Sequence, residues 1–264
     1  MSPADGAAVV APGSTGPPLR ALVTDVDGTL TDHDRRLEPT TIDAVHALRA
    51  RGWPVVLATG NVLPIALALH RTLGLDGPIV AENGGILYRG PPGHETVIRL
   101  TDQAPALAAY RRLRAAGLPV RRLFTDRWRE AEVALYPTVA LGRIRAALDG
   151  FPITVESTGY AIHLMAPGGG KLPALERALE ELDLGLDACV VLGDGDNDVA
   201  MLRRAGWAVS FPNGSARARR AADFVTRASC GRGFVEALKH LGVYEPPSTA
   251  GRGLDARRNL RAVR

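Results

Sequence analysis

The chain has 264 residues, 46% hydrophobic and 23% charged, which suits a globular protein of one large or two modest domains and excludes a mainly disordered or collagen-like chain. No apolar run approaches the ~20 residues of a membrane span, and residues 1–18 lack the basic start and apolar centre of a secretory signal. The net charge of +4 resides in residues 246–264, which hold five arginines against one aspartate, so the basic balance is a tail property and not a sign of a nucleic-acid partner.

Residues 1–18, rich in Pro, Gly and Ala, read as a disordered tail. Leu19–Val26 is a near-continuous apolar run, as expected of a strand buried on both faces. A helix is predicted over Pro39–Arg51, a strand over Pro54–Ala58, a helix over Leu63–Leu73 stopped by Gly74, and a strand over Ile79–Ala81. Gly85–Arg89 and Thr96–Leu100 flank Gly90-Pro91-Pro92-Gly93 and read as a hairpin. Helices are predicted over Gln103–Ala116 and Thr138–Asp149, with extended segments at Glu130–Tyr136, Ile153–Ser157 and Tyr160–Met165. A helix beginning at Lys171, the strand Ala188–Leu192, a helix over Asp196–Arg204, the strand Trp207–Phe211 and helices over Gly214–Ala222 and Gly231–Leu241 complete the pattern. The alternation predicts an α/β fold: a Rossmann-like parallel sheet with an inserted α+β unit. The expected divisions are a core of 19–84 and 161–243, an insertion of 85–160, and a flexible basic tail of 244–264.

Three strands run into chemistry-bearing loops, where ligands of open α/β sheets bind. The first ends in Asp25-Val26-Asp27-Gly28-Thr29. Two carboxylates at one strand end repel each other unless a cation compensates, and an oxygen-rich pocket suits Mg²⁺ shared with a phosphate. The plain alternative is a surface turn with two solvated acids. A second apolar strand ends in Gly193-Asp194-Gly195-Asp196-Asn197-Asp198. Asp194 and Asp198 can face one site while Asp196 caps the following helix. An EF-hand is excluded, because its sixth position would be Val199 and its twelfth Ala205. Thr59-Gly60-Asn61 offers a hydroxyl and backbone amides at a helix start, which is a phosphate seat or an ordinary cap. Lys171 follows three glycines, but Met165 and Leu172 break the P-loop spacing.

In this order, the four signals resemble the motifs of the haloacid dehalogenase superfamily of phosphatases, over about Leu19 to Val243. The insertion resembles the large α/β cap of its sugar phosphatases and phosphomannomutases. Within that group the chain most resembles archaeal-type phosphoglycolate phosphatases. Asp25–Asp32, Thr59-Gly60-Asn61, Glu82-Asn83-Gly84-Gly85, Thr125–Glu130 and Gly159-Tyr160 with His163-Leu164-Met165 carry this resemblance. The Gly-rich approach to Lys171 and the two tails depart from it.

The resemblance implies hydrolysis of 2-phosphoglycolate through an aspartyl-phosphate, with Asp25 as nucleophile and Asp27 as acid and base. It implies Mg²⁺ held by Asp25, the backbone carbonyl of Asp27, Asp194 and Asp198, and phosphate bound by Thr59, Gly60, Asn61 and Lys171. Arg127 and Arg129 are candidate cap groups for the substrate carboxylate, against the alternative of a solvated strand with one buried Trp; Arg129 is the residue chosen. His163 reads more simply as a core histidine. Rival readings are a sugar-phosphate or mannosyl-3-phosphoglycerate phosphatase or a phosphomutase, and a phosphorylation-driven regulatory module. The expected partner is a small phosphorylated metabolite, with no specific nucleic acid and no membrane, for a cytoplasmic monomer or homodimer. Cytoplasmic placement rests on just two distant cysteines, Cys189 and Cys230.

Overall fold

A computed structural model describes residues 8–13, 15–91 and 93–246. Eleven strands and eight α-helices are assigned among them. The large sheet contains β1 (Ala21–Thr24), β2 (Val55–Ala58), β3 (Ile79–Ala81), β4 (Ile86–Arg89), β5 (Thr96–Arg99), β9 (Cys189–Leu192), β10 (Trp207–Ser210) and β11 (Phe224–Val225), in the order β11-β10-β9-β1-β2-β3-β4-β5. The six strands from β11 to β3 are parallel, and the β4–β5 hairpin extends them antiparallel.

Strand periodicity explains why the sequence runs are apolar throughout. Successive side chains alternate between two cores, so neither face is free to be polar. Leu22, Val55, Leu57, Val190 and Leu192 pack under α1 (Pro39–Ala50), α2 (Leu63–Thr72) and α8 (Cys230–His240). Val23, Val56, Ala58 and Val191 pack on the other face, against α5 (Lys171–Glu180), α6 (Val199–Leu202) and α7 (Ala216–Ala221). A smaller antiparallel sheet, ordered β6-β8-β7, comprises β6 (Glu132–Leu135), β7 (Thr154–Ser157) and β8 (Ile162–Met165). It packs on α3 (Ala104–Ala115) and α4 (Leu141–Ala147) around a third core that includes Leu113, Val133, Ile144 and Leu164.

Several divisions differ from the expected ones. The hairpin assigned to the insertion belongs to the large sheet, because β4 pairs with β3 through Val80 and Leu87. Ile162–Met165, assigned to the core, is the central strand of the small sheet. The second unit therefore runs from about residue 104 to 165. Within the expected N-terminal tail, Val9 pairs with Leu19 and Ala11 is buried; residues 1–7 and 14 lie outside the described residues. Val243 and Tyr244 are also buried, so the fold extends past the expected start of the basic tail, whose residues 247–264 lie outside the described residues. The helix expected over 196–204 is a 3-10 turn, Asp196–Asp198, followed by the short α6. Phe124–Trp128 is likewise a 3-10 turn and not a strand, and Trp128 is 46% exposed.

The chain crosses between the units at residues 100–103 and 166–170. The two crossings touch: a methyl placed on Gly169 would lie 3.6 Å from Thr101 Cγ2. Among the described residues, no helix is long and apolar enough to cross a membrane.

Candidate active site

The site lies at the carboxyl ends of β1, β2 and β9, under the second unit. Asp25 follows β1 directly, and its N–H donates to Leu192 O of the neighbouring strand at 3.0 Å. The chain then turns at Gly28, whose φ of +79° is costly for other residues. A Cβ there would also sit 2.5 Å from Asp194 Oδ2, so glycine is what allows the two acidic loops to meet.

Three carboxylates from two distant segments converge: Asp25, Asp194 and Asp198 each present an oxygen, all within 4.8 Å of one another. Lys171, at the first turn of α5 and 2% exposed, places Nζ 2.7 Å from both Asp25 Oδ1 and Asp198 Oδ1. The other oxygen of Asp198 accepts the N–H groups of Asp194 and Gly195 at 3.0 and 2.8 Å. Asn213, which the sequence reading passed over, donates to Asp194 Oδ2 at 3.2 Å and to Gly28 O at 2.8 Å, tying the two loops together.

One lysine does not balance three clustered acids, two of them buried and the third half-buried. Burial, reinforced by Asp198 and Asp194 against the opposing pull of Lys171, raises Asp25 well above the usual carboxylate range. Burial and Asp198 push Asp194 up to about 7. For Lys171 burial works the other way, but Asp198 and Asp25 outweigh it and hold the ammonium charged. An all-oxygen donor set with surplus negative charge fits a hard divalent cation.

Asp27 does not join this cluster with its side chain. Its Oδ2 accepts from Asn61 Nδ2 at 2.7 Å, and Asn61 N–H donates to Thr59 Oγ1 at 3.0 Å. Thr59, Gly60, Asn61, Asp25 and Asp27 line one cavity of about 280 Å³ with Asp194. Lys171 reaches this cluster from behind, through Asp25.

Residues of the second unit close the cavity from above. Arg129 lines it but is 7% exposed and already engaged. Its Nη1 pairs with Glu132, Nη2 donates to Gly60 O at 2.9 Å, and Nε lies 3.6 Å from Asp126. This side chain is a bolt between the units rather than a solvated strand residue, and Arg127, not Arg129, is the exposed member, stacked over Phe124 and Trp128. Glu132 further meets His163 Nδ1 at 2.9 Å and accepts from Asn83 Nδ2 at 3.0 Å, while Asn197 Nδ2 donates to Asn83 Oδ1 at 2.9 Å. Burial alone would raise Glu132, but His163 and Arg129 bring it down to about 2. Glu82 accepts the N–H groups of Glu130 and Ala131, a second tie between the units. Glu82 and Asn83 both adopt positive φ, near +50°, a conformation that asparagine takes more readily than most residues and glutamate does not.

A family model for haloacid dehalogenase-like hydrolases matches residues 22–103 and 140–238. The phosphoglycolate phosphatase of Methanothermobacter thermautotrophicus is 36% identical over 223 residues, covering 84% of this chain and 99% of that protein. That of Methanoculleus marisnigri is 38% identical over 232 residues, covering 86% and 98%. Among solved structures, Thermoplasma acidophilum 0175 superposes with a TM-score of 0.77 at 27% identity, covering 86% of this chain and 99% of that one. A subclass IIB sugar phosphatase of the same superfamily has a TM-score of 0.69 at 20% identity, covering 85% and 100%, a likeness of fold. With acids, lysine and threonine gathered at the ends of the expected strands, and a family model spanning both halves of the site, the chain belongs to the haloacid dehalogenase-like hydrolases.

Proposed function

We propose that the protein is a Mg²⁺-dependent phosphomonoesterase that hydrolyses 2-phosphoglycolate to glycolate and phosphate. One observation carries the chemistry: the Asp25 carboxylate is held between Lys171 and two further acids at the floor of a small cavity. The substrate is supported by the archaeal phosphoglycolate phosphatases, which align over nearly their whole length, and by a cavity just below the ~300–1,000 Å³ range of ligand pockets, which suits a small ester.

Asp25, Asp194 and Asp198, with the Asp27 carbonyl, would hold the ion. When bound, it neutralises the phosphate and lowers its repulsion toward the attacking carboxylate. Asp25 attacks phosphorus, and the P–O bond to glycolate breaks as the aspartyl-phosphate forms. Asp27, oriented by Asn61, donates a proton to the departing oxygen. The same carboxylate then takes a proton from the water that attacks the aspartyl-phosphate, which releases phosphate and restores Asp25. Lys171 screens the charge on Asp25, while the Thr59 hydroxyl and the Gly60 N–H would donate to phosphate oxygens. Closure by the second unit excludes bulk water during transfer. Two free, buried thiols suit the reducing cytoplasm in which this reading places the enzyme.

The test is phosphate release from a panel of esters, with and without chelation of divalent ions, and acid-quench trapping of phosphoprotein. The reading expects phosphoglycolate to lead, chelation to stop turnover and label to appear on Asp25. A hundredfold preference for a sugar phosphate would overturn the substrate, and turnover surviving chelation would overturn the metal.

A further inference from the structure

Among the described residues, three basic side chains line the catalytic cavity: Arg35, Arg129 and His163. Two of them are spoken for. Arg129 and His163 both face the buried carboxylate of Glu132, and Arg129 also bonds Gly60 O. Arg35 differs. Its side chain is 58% exposed, and the acid beside it, Asp27 Oδ1, lies 3.8 Å from Nε, beyond hydrogen-bond reach. Its guanidinium lies over the Tyr160 ring, 5.5 Å from the centroid, so it spans from the large-sheet unit to the second unit across the mouth of the cavity.

The local chain is built to hold it there. Asp32 N–H donates to Arg36 O, and Arg35 N–H donates to Asp32 O, at 2.9 and 3.0 Å. The Asp32 carboxylate accepts from Asp34 and Arg36 N–H at 2.9 and 2.8 Å. Inside this closed loop Arg35 itself has φ +63°, a conformation that costs a non-glycine residue free energy.

We propose that Arg35 is the specificity-determining residue that binds the substrate's carboxylate. The assignment rests on the phosphoglycolate reading. In that substrate, one methylene separates the carboxylate from the ester oxygen. Asp27 protonates that oxygen, so the carboxylate must fall close to Asp27. Arg35 is the lining cation beside Asp27 whose donors no buried acid holds, and its planar fork matches a carboxylate. The role foreseen for Arg129 passes to a residue on the other side of the cleft.

The experiment compares phosphoglycolate with ethyl phosphate, which lacks the carboxylate, in the full-length wild type, Arg35→Gln and Arg35→Lys with Mg²⁺. The ratio of kcat/KM for the two esters should fall at least about tenfold in Arg35→Gln, chiefly through KM for phosphoglycolate, and recover in part in Arg35→Lys. A ratio preserved in Arg35→Gln, with both esters slowed equally or neither slowed, would overturn the assignment and leave the substrate reading intact. A wild type with no preference for phosphoglycolate would overturn the substrate reading, and the assignment with it.

Discussion

Two acidic clusters lie on either side of the cavity, and their electrostatics are opposite. On the large-sheet side, Asp25 and Asp194 sit above the ordinary carboxylate range because burial and neighbouring acids outweigh one lysine. On the other side, Glu132 is as deeply buried yet is driven down to about 2, because Arg129 and His163 more than repay its desolvation. The lesson is that burial does not distinguish a working acid from a structural one; the balance of partners does. On the proposed function, an unbalanced cluster spends folding free energy on keeping a place for a cation and a nucleophile. A balanced one fastens two units together.

The sharpest way to break this contrast is to amidate one member of each cluster. Asp25→Asn should lower turnover by about 10⁴-fold or more, equivalent to ~5.5 kcal/mol in barrier, in a protein that remains folded by circular dichroism. Glu132→Gln should instead cost stability, on the order of 3–5 kcal/mol in urea unfolding at pH 7, by leaving Arg129 short of its partner. The pH dependence gives its sign. Since the folded state holds Glu132 at about 2 against an ordinary 4.5, its contribution is present above pH 4.5 and is lost as pH falls toward 2. The gap between wild type and Glu132→Gln should close over that acid range.

Saturating Mg²⁺, at about a hundredfold its Kd, should raise stability by ~2.7 kcal/mol. For the raised acids the sign reverses. Without the ion, their contribution is present below the unfolded values and is lost as pH rises through about 7 for Asp194. Protons and Mg²⁺ then compete for the same oxygens, so the thermal shift at fixed Mg²⁺ should be larger at pH 8 than at pH 5.5. An equal shift at both values would place the ion elsewhere. The smallest effect is expected at Arg127, which rests on exposed Phe124 and Trp128: Arg127→Ala should change stability by no more than about 1 kcal/mol. If it matched Arg129→Ala, the distinction between exposed and engaged arginine would fail.

Much of this was legible in the residues themselves. Strands buried on both faces announce themselves as unbroken apolar runs, and Asp25, Thr59 and Asp194 each stand just past the end of one, where the chain must turn and can present polar groups. What stayed hidden was decided by long-range pairing. The Ile86–Arg99 hairpin has the same local signature whichever sheet it joins, and only Val80 opposite Leu87 assigns it. The two-residue β11 carries too little pattern to be seen. Arg129 reads as a guanidinium open to the substrate or to solvent, because its tie to Gly60 forms only when the two units meet. Glu82 gave no warning of left-handed backbone, and Asn83 carried only asparagine's mild preference for it.

The closeness of the chain at Thr101 to the chain at Gly169 has an architectural consequence. Because outgoing and returning chains run side by side, the upper unit is joined covalently through a narrow stalk, and the strand ladder of the sheet below is complete without it. A differently shaped roof of other length could be grafted onto the same stub with little loop-closure cost, which makes the attachment point a natural socket for exchanging specificity while the machinery beneath is kept.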